Sequence, residues 1–582
     1  MPPIYTNMKS FINTFRSFFK NKVFRKSAYA TLLLAFAITG ISFTQDYFEI
    51  SKNLDIFNNL YRELNLSYVD DTKPGQLMKT GIDAMLNSLD PYTVYFPETD
   101  IEDFKYMMTG EYGGIGAMVL DVDGKILIAD PFEGFAAFKA GLRAGDQIVG
   151  VNGLNVVGKK SEEITNLLRG QAGTGVKLKV LKVGQTSPVE LSLSREEVKH
   201  KSVPYFGLLD NSEIGYIKLT SFTENCSNEV KEALTGLKSK SAKGLILDLR
   251  GNPGGLLHEA VNIVNLFVDK GLEIVYTKGK IPDWDKTYLS VNNPVDKEIP
   301  LVVLVDGYSA SASEIVSGAL QDLDRAVIIG QRTYGKGLVQ QTKDLLYNTK
   351  VKITVAKYYI PSGRCVQALD YTHKDEDGRV EKVPDSLITA FKTKGGRIVY
   401  DGAGVMPDIK TKEEKENLLV SALLSKHHVF TYATQYVQNR NDIGSVKNFS
   451  LSNEEYAKFL AYLKDKEYNY KTKTETELEE ILKTAKEEGA YDDIKSEYEK
   501  LLVKLKESKN NDLHESGEKV KQLLEEEIVS RYYFFKGRLE YNLKNDEDVK
   551  QAATLLKDGG KIKTLLTTIE KPLKPFNMNK RF

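Results

Sequence analysis

Residues 305–337, VDGYSASASEIVSGALQDLDRAVIIGQRTYGKG, hold three alternating serines, Ser309, Ser311 and Ser313, and one lysine, Lys336, set between Gly335 and Gly337. A serine hydroxyl is a weak nucleophile until a base removes its proton, and a lysine amine is such a base only when burial keeps it uncharged. Three chemistries compete for this stretch. A phosphate loop, G-x-x-x-x-G-K-[ST], fits Gly330, Gly335 and Lys336. Gly337, however, stands where the metal-binding hydroxyl belongs, and LVQQT beyond it reads as a strand rather than a helix. A nucleophile elbow, G-x-S-x-G, finds Gly307 and Ser309 but meets Ser311 at its second glycine. A Ser-His-Asp triad also needs a histidine. Of His200, His258, His373, His427, His428 and His514, only His258 lies in the α/β region near a Gly-rich turn.

The third chemistry is a Ser–Lys pair, and the surrounding elements decide whether its two members can meet. LVVLV reads as a strand ending at Asp306, a helix begins near Ser313, and AVIIG returns as a second strand with Lys336 just past its end. A strand–helix–strand crossover makes the strands parallel. If they are neighbours, their ends lie about 4.8 Å apart, and groups beyond those ends face one crevice. The serine would then sit at a helix N-terminus, whose free N–H groups suit an oxyanion. Spacing alone leaves a bland reading equally open: Ser/Ala runs permit close helix–sheet packing, and Gly-Lys-Gly can be an ordinary turn.

The rest of the chain sets the context. Its 582 residues are 41% hydrophobic and 27% charged, with 80 Lys+Arg against 80 Asp+Glu. That composition is globular, exceeds one core in length, and carries no global charge to draw it to nucleic acid. The two cysteines, Cys226 and Cys365, are too few for a disulfide framework and lack metal-ligand spacing. At the N-terminus Lys9, Arg16, Lys20, Lys22, Arg25 and Lys26 precede AYATLLLAFAITGISF, residues 28–43, and no acid appears before Asp46. A basic flank before an apolar run predicts an export signal or membrane anchor over 1–45, with the remainder in a periplasm-like space. Whether the leader is cleaved is open.

Helical spacing predicts helices from 46 to about 98, for example at Leu54, Phe57, Leu60, Tyr61 and Leu64, with a break at Asp90-Pro91 and Pro97. From about 110 the period becomes two, giving a compact mixed module with a helix at SEEITNLLRG. From 212 to about 410, the strand-like runs IGYIKL, GLILDLR, LEIVYT, PLVVLVD, AVIIG and VKITVAKYYI alternate with helical runs, the pattern of an α/β layer structure. Beyond 412 the chain is Lys-, Glu-, Leu- and Tyr-rich. YDDIKSEYEKLLVKLKES and VKQLLEEEIVSRYYFFKGRLEYNL read as helices, and KNNDLHESGEK between them reads as a linker.

Taken together, YSASASEIVSGALQD and TYGKGLVQ closely resemble the C-terminal processing peptidases, or tail-specific proteases. LNSLDPYTVYF resembles that family's segment before its PDZ domain. YGGIGAMV, KAGLRAGDQIVGVNG and LRGQAGTGVKLKV resemble the PDZ domain, and LILDLRGNPGGLL, AKYYIPSGRCVQ and VYDGAGVMPDI resemble the protease core. The likeness covers about residues 50–410. It implies a multidomain α/β (α+β) protein: 1–45 signal or anchor, 46–105 N-terminal helical region, 106–197 PDZ domain, 198–411 protease core of crotonase/ClpP-like type, and 412–582 helical region.

The resemblance also implies roles. Ser311 is the nucleophile, Lys336 the general base, and Gln340 its hydrogen-bonding orienter. The oxyanion hole uses the N–H groups of Ala312 and Gly255, the latter favoured over Gly254. In the PDZ domain, the backbone of Gly114, Ile115, Gly116 and Ala117 holds a substrate's C-terminal carboxylate, with the EEITNLLRG helix as the groove's other wall. DPFEGFAAFKAG departs from the family's shorter approach to its helix, which bears on how this module docks. The expectation is a serine endopeptidase that binds free, apolar protein C-termini and needs no metal or cofactor. The rival from another class is a catalytically inert, membrane-tethered PDZ scaffold. Residues 412–582 could dimerise, support the core or recruit an adaptor.

Overall fold

The computed structural model describes residues 47–374, 380–413, 417–438 and 440–568, in two compact units divided after Ser88. The predicted leader over 1–45 lies outside the described residues. No helix among the described residues is long and apolar enough to cross a membrane. The first unit is a pair of helices, 47–67 and Pro74–Asn87. They are joined where the Tyr61 hydroxyl donates to the Pro74 carbonyl at 2.8 Å, and Pro74 sits at the helix start, where its missing N–H costs nothing.

In the second unit, residues 117–194 form a six-stranded antiparallel sheet. Its order is Ala117–Val122, Lys125–Pro131, Gln147–Val151, Gly175–Leu181, Val189–Ser194, with Leu154–Asn155 pairing off Gln147–Val151. Gly175–Leu181 alternates exposed and buried residues, so Val176, Leu178 and Val180 enter a core with Ile126, Ile148 and the helix residues Ile164 and Leu168. An antiparallel ribbon of Glu111–Gly114 on Glu196–Lys199 joins this module to the next layer.

The larger sheet of the second unit runs β1 (Tyr205–Leu208), β2 (Ile214–Lys218), β3 (Gly244–Asp248), β4 (Leu301–Val305), β5 (Val327–Gly330) and β6 (Ile409–Lys410), in that spatial order. β1 is antiparallel to β2 and every other pairing is parallel. β2 to β5 are apolar on both faces, the mark of a sheet covered on both sides. One face packs α1 (Cys226–Ser239), α2 (Leu257–Asn265) and α3 (Ala312–Asp322). The other is covered from the far end of the chain: Val549, Ala552, Leu555, Leu556 and Ile562, on helices Glu547–Lys557 and Gly559–Thr567, pack against Tyr216, Ile246, Val302, Leu304, Val327 and Ile329. Each large side chain so buried contributes roughly 1.5–3 kcal/mol. These helices therefore complete the α/β sandwich.

LEIVYT and VKITVAKYYI do not join the parallel sheet. As Glu273–Gly279 and Lys350–Tyr359 they form a separate antiparallel sheet with Val94–Phe96, Lys286–Leu289 and Leu338–Asp344. The remaining helices, from Leu418 to Leu543, share their own core around Leu423, Phe459, Leu463, Leu524 and Ile528. Here KNNDLHESGEK is not a linker. Helix Tyr491–Glu515 runs through most of it, and the next helix begins at Gly517. Tertiary contacts override its weak helix formers: Leu513 packs on the helical core, and Lys509 pairs with Glu475 at 2.6 Å.

Candidate active site

β4 and β5 are parallel neighbours, with Val305 opposite Gly330, so the segments that follow them leave the sheet side by side. Gly330 permits the approach: a Cβ there would lie 1.9 Å from the Val305 carbonyl oxygen. The segment after β4 turns into α3, whose residues 312–322 are all buried, with Ser311 as N-cap. Ser311 has φ +56° and ψ −111°, a strained conformation for a non-glycine residue.

The three serines differ in what their hydroxyls do. Ser309 is fully buried, donates to the Leu249 carbonyl at 2.9 Å and accepts from the Asp306 N–H at 3.0 Å. Ser313 donates to the Asn252 carbonyl at 2.9 Å. Both tie this turn to the loop after β3. The Ser311 hydroxyl donates to no group among the described residues, while its carbonyl accepts from the Tyr358 hydroxyl at 3.2 Å.

A single carboxylate joins the two halves of the candidate pair. Glu314, fully buried in the first turn of α3, accepts from the N–H of Ser311 and the N–H of Lys336 on one oxygen, each at 2.8 Å. On the other it accepts from the Thr333 hydroxyl at 2.6 Å and the Gly335 N–H at 2.7 Å. Burial pushes its carboxyl above the usual range, against the pull of these donors. The S-x-x-E spacing that signals a helix N-terminus was present in the sequence, but not this second reach across to the lysine.

The Lys336 ammonium faces the Tyr92 ring at 4.2 Å from its centroid and makes no side-chain hydrogen bond or ion pair among the described residues. Burial, helped by the nearby Lys352 and opposed by Asp90 and Glu314, lowers its pKa to about 8. Tyr92 is itself held, accepting from Tyr371 at 3.2 Å and donating to Tyr334 at 3.4 Å. Gln340 does not reach the lysine here. Its amide donates to Thr354 Oγ1 at 3.2 Å, and Thr93 bridges Thr354 to the buried Asp90. The alternation that would put residues 336 and 340 on one side fails, because the strand starts only at Leu338, after Lys336.

On the oxyanion side, Gly254 packs directly under the serine turn; a Cβ there would lie 2.6 Å from the Ala310 carbonyl oxygen and 2.9 Å from Ala312 N. Its N–H is occupied by Asn252 Oδ1 at 2.9 Å. The N–H groups of Gly255 and Ala312 make no hydrogen bond among the described residues. His258 is largely exposed and sits 3.5 Å from Glu259, with no bond to any of the three serines. Gly330–Lys336 leads into strand Leu338–Asp344, not a helix, so the phosphate-loop reading is excluded.

In the antiparallel module, the N–H groups of Ile115 and Gly116 make no hydrogen bond among the described residues, while their carbonyls accept from Ala137 and Phe132, each at 2.8 Å. Gly114 ends the joining ribbon, and Ala117 opens a strand whose outer edge pairs with nothing among the described residues. Phe138, from the segment that departs from the family pattern, meets Phe534 of the helical region edge-on at 5.4 Å. That contact explains what the longer approach does: it docks the module on the C-terminal helices.

Comparison with known proteins follows the same divisions. Residues 213–374 match Peptidase family S41, residues 113–193 match the PDZ domain, and residues 419–556 match the C-terminal helical domain of a probable PDZ-protease family. The carboxy-terminal processing protease CtpA of Bacillus subtilis is 38% identical over 313 residues, which is 54% of this chain and 66% of that protein. The carboxy-terminal-processing protease of Bartonella bacilliformis is 34% identical over 372 residues, 63% of this chain and 82% of that one. Among solved structures, a photosystem II D1 C-terminal processing protease is 27% identical with TM-score 0.33, covering 61% of this chain and 92% of its own. The chain belongs to the carboxy-terminal processing proteases of peptidase family S41, which are serine-type peptidases, and it carries a PDZ domain.

Proposed function

We propose that this protein is an exported endopeptidase that captures protein substrates by a free C-terminus and cleaves them through an acyl-enzyme formed on Ser311. One observation carries the choice of nucleophile: of three alternating serines, two donate their hydroxyl protons to the scaffold, and Ser311, at a strained helix N-cap, donates to no group among the described residues. In the first step, neutral Lys336 takes the Ser311 proton as Oγ bonds to the scissile carbonyl carbon. The resulting oxyanion would lie against the N–H groups of Ala312 and Gly255, which make no hydrogen bond among the described residues. Collapse breaks the C–N bond, and the Lys336 ammonium returns its proton to the leaving amine. Water then gives a proton to Lys336 and its oxygen to the acyl carbon, the bond from that carbon to Ser311 Oγ breaks, and Oγ recovers the proton from Lys336. For this cycle the lysine side chain must leave the Tyr92 ring, and Gln340 would orient it once its amide is released from Thr354.

The PDZ groove would take the substrate's terminus as an added strand on Ala117–Val122, with its carboxylate on the N–H groups at Gly114–Ala117. Exposed Met118 on that strand favours an apolar terminus. Export rests on the basic flank and apolar run over 1–45, which would also tether an uncleaved chain to the membrane and leave the rest in the periplasm. Incubating Ser311→Ala with an N-terminally tagged substrate that has a free apolar C-terminus is the direct test: binding persists, cleavage stops, and labelling by a fluorophosphonate disappears. Cleavage at the wild-type rate would refute the assignment, and a wild-type protein inert to both substrate and fluorophosphonate would favour the scaffold reading.

A further inference from the structure

The loop that carries Gly254 and Gly255 begins at Arg250, and Arg250 is held by the far end of the chain. Its guanidinium makes a two-pronged pair with Asp546, at 3.1 and 2.6 Å, and reaches Asp548 at 3.2 Å. Asp546 is also the N-cap of helix Glu547–Lys557, accepting from the Val549 N–H at 3.0 Å, so its carboxylate is fixed in place. On the other side Arg250 binds Asp248, the last residue of β3, through three contacts of 2.6–3.2 Å. Lys218 completes the cluster, donating to Asp248 at 3.2 Å and to the Arg250 carbonyl at 2.6 Å. Burial works against the Asp248 charge, yet Lys218 and Arg250 hold its carboxyl well below the usual range.

Two cations and three carboxylates thus converge where β3 ends and the glycine loop starts. A core that needed only to pack would bury apolar residues here, because desolvating a charge cluster costs about as much as its attraction returns. What the cluster does supply is a defined backbone position at Arg250, four residues before Gly254. Next along, the Gly251 N–H is fixed by both Asp306 oxygens at 3.0 Å, from the strand end that leads to the nucleophile turn.

Taking the Ser311 reading as given, we infer that Asp546 and Asp548 are positioning residues for the oxyanion loop, acting through Arg250, so that the C-terminal helices set the alignment of the active site as well as covering the sheet. An oxyanion donor works only when it is aimed at where charge develops, and small displacements of such groups are costly.

The test is a cycle on the full chain, with active sites titrated by a fluorophosphonate so that only folded enzyme is counted. The double variant Asp546→Ala/Asp548→Ala is expected to lower kcat about tenfold with KM within about twofold, since the PDZ groove is untouched. Arg250→Ala is expected to do the same. The combination of all three should fall no further, because the aspartates act only through the arginine. Losses in kcat that multiply in the combination, or a double variant with wild-type kcat, would overturn the inference. If the double variant does not fold, Asp548→Asn serves, since it spares the N-cap. A two- to threefold fall in kcat, restored by Asp548→Glu, is expected there, and an unchanged kcat overturns the proposal. If Ser311→Ala cleaves normally, the underlying reading fails. If Ser311→Ala is dead while every aspartate variant keeps full kcat, only this inference fails.

Discussion

Replacing Lys352 by methionine should move the pH dependence of cleavage upward. Lys336 acts as a base only when neutral, and its pKa of about 8 comes first from burial and second from the positive charge of Lys352. The drop from 10.5 amounts to roughly 3 kcal/mol against the ammonium, and it raises the neutral fraction at pH 7 from about one in 3000 to about one in ten. Lys352→Met keeps the apolar stem and removes only the second cause, leaving burial, the larger one, in place. The midpoint should rise by about half a unit, which means about a threefold loss of kcat/KM at pH 7 and no loss on the alkaline plateau. The assay is kcat/KM for a peptide substrate from about pH 6 to pH 10, which reports the pKa of the free enzyme's base. A midpoint that falls, or does not move, would refute the electrostatic account. A limb near the histidine range that vanishes in His258→Ala would refute the lysine base altogether.

Further outcomes follow from the same site. Lys336→Met should abolish cleavage yet stabilise the fold at neutral pH by about 1–2 kcal/mol. The native lysine pKa is depressed, so its destabilising effect is fully present below about pH 8 and fades toward the unfolded value near 10.5; the gain, read by thermal melts, should shrink across that window. Ser309→Ala and Ser313→Ala should each cost about 1–3 kcal/mol, because they strip buried partners, while retaining fluorophosphonate labelling that Ser311→Ala loses. Gly254→Ala should lower kcat by about 10²-fold, since its Cβ would press on the Ala310 carbonyl at 2.6 Å and its φ is +98°; a near-wild-type rate would show that the turn has slack.

Much of this site was legible before any coordinates. The parallel pairing of β4 and β5 follows from two apolar strands flanking one helix, and it brings the ends that carry Ser311 and Lys336 together. The seat of Gln340 was not legible, because Lys336 lies before strand Leu338–Asp344 begins and the alternation that spacing assumes does not extend back to it. Nor was the span of the α/β layer: LEIVYT and VKITVAKYYI have the composition of buried strands, and only their partners assign them to a second sheet.

Local order is what the residues by themselves determined over most of the chain, KNNDLHESGEK apart: the strands and helices of the α/β region, where α3 begins, and which serines and lysine stand at element ends, since periodicity and end signals act between near neighbours in the chain. The tertiary structure alone decided which serine hydroxyl donates to no group among the described residues, that Glu314 ties Ser311 to Lys336, that Tyr92 faces the lysine amine, and that Asp546 reaches Arg250. Those facts depend on burial and on contacts between residues as many as 296 positions apart, and no local pattern encodes them.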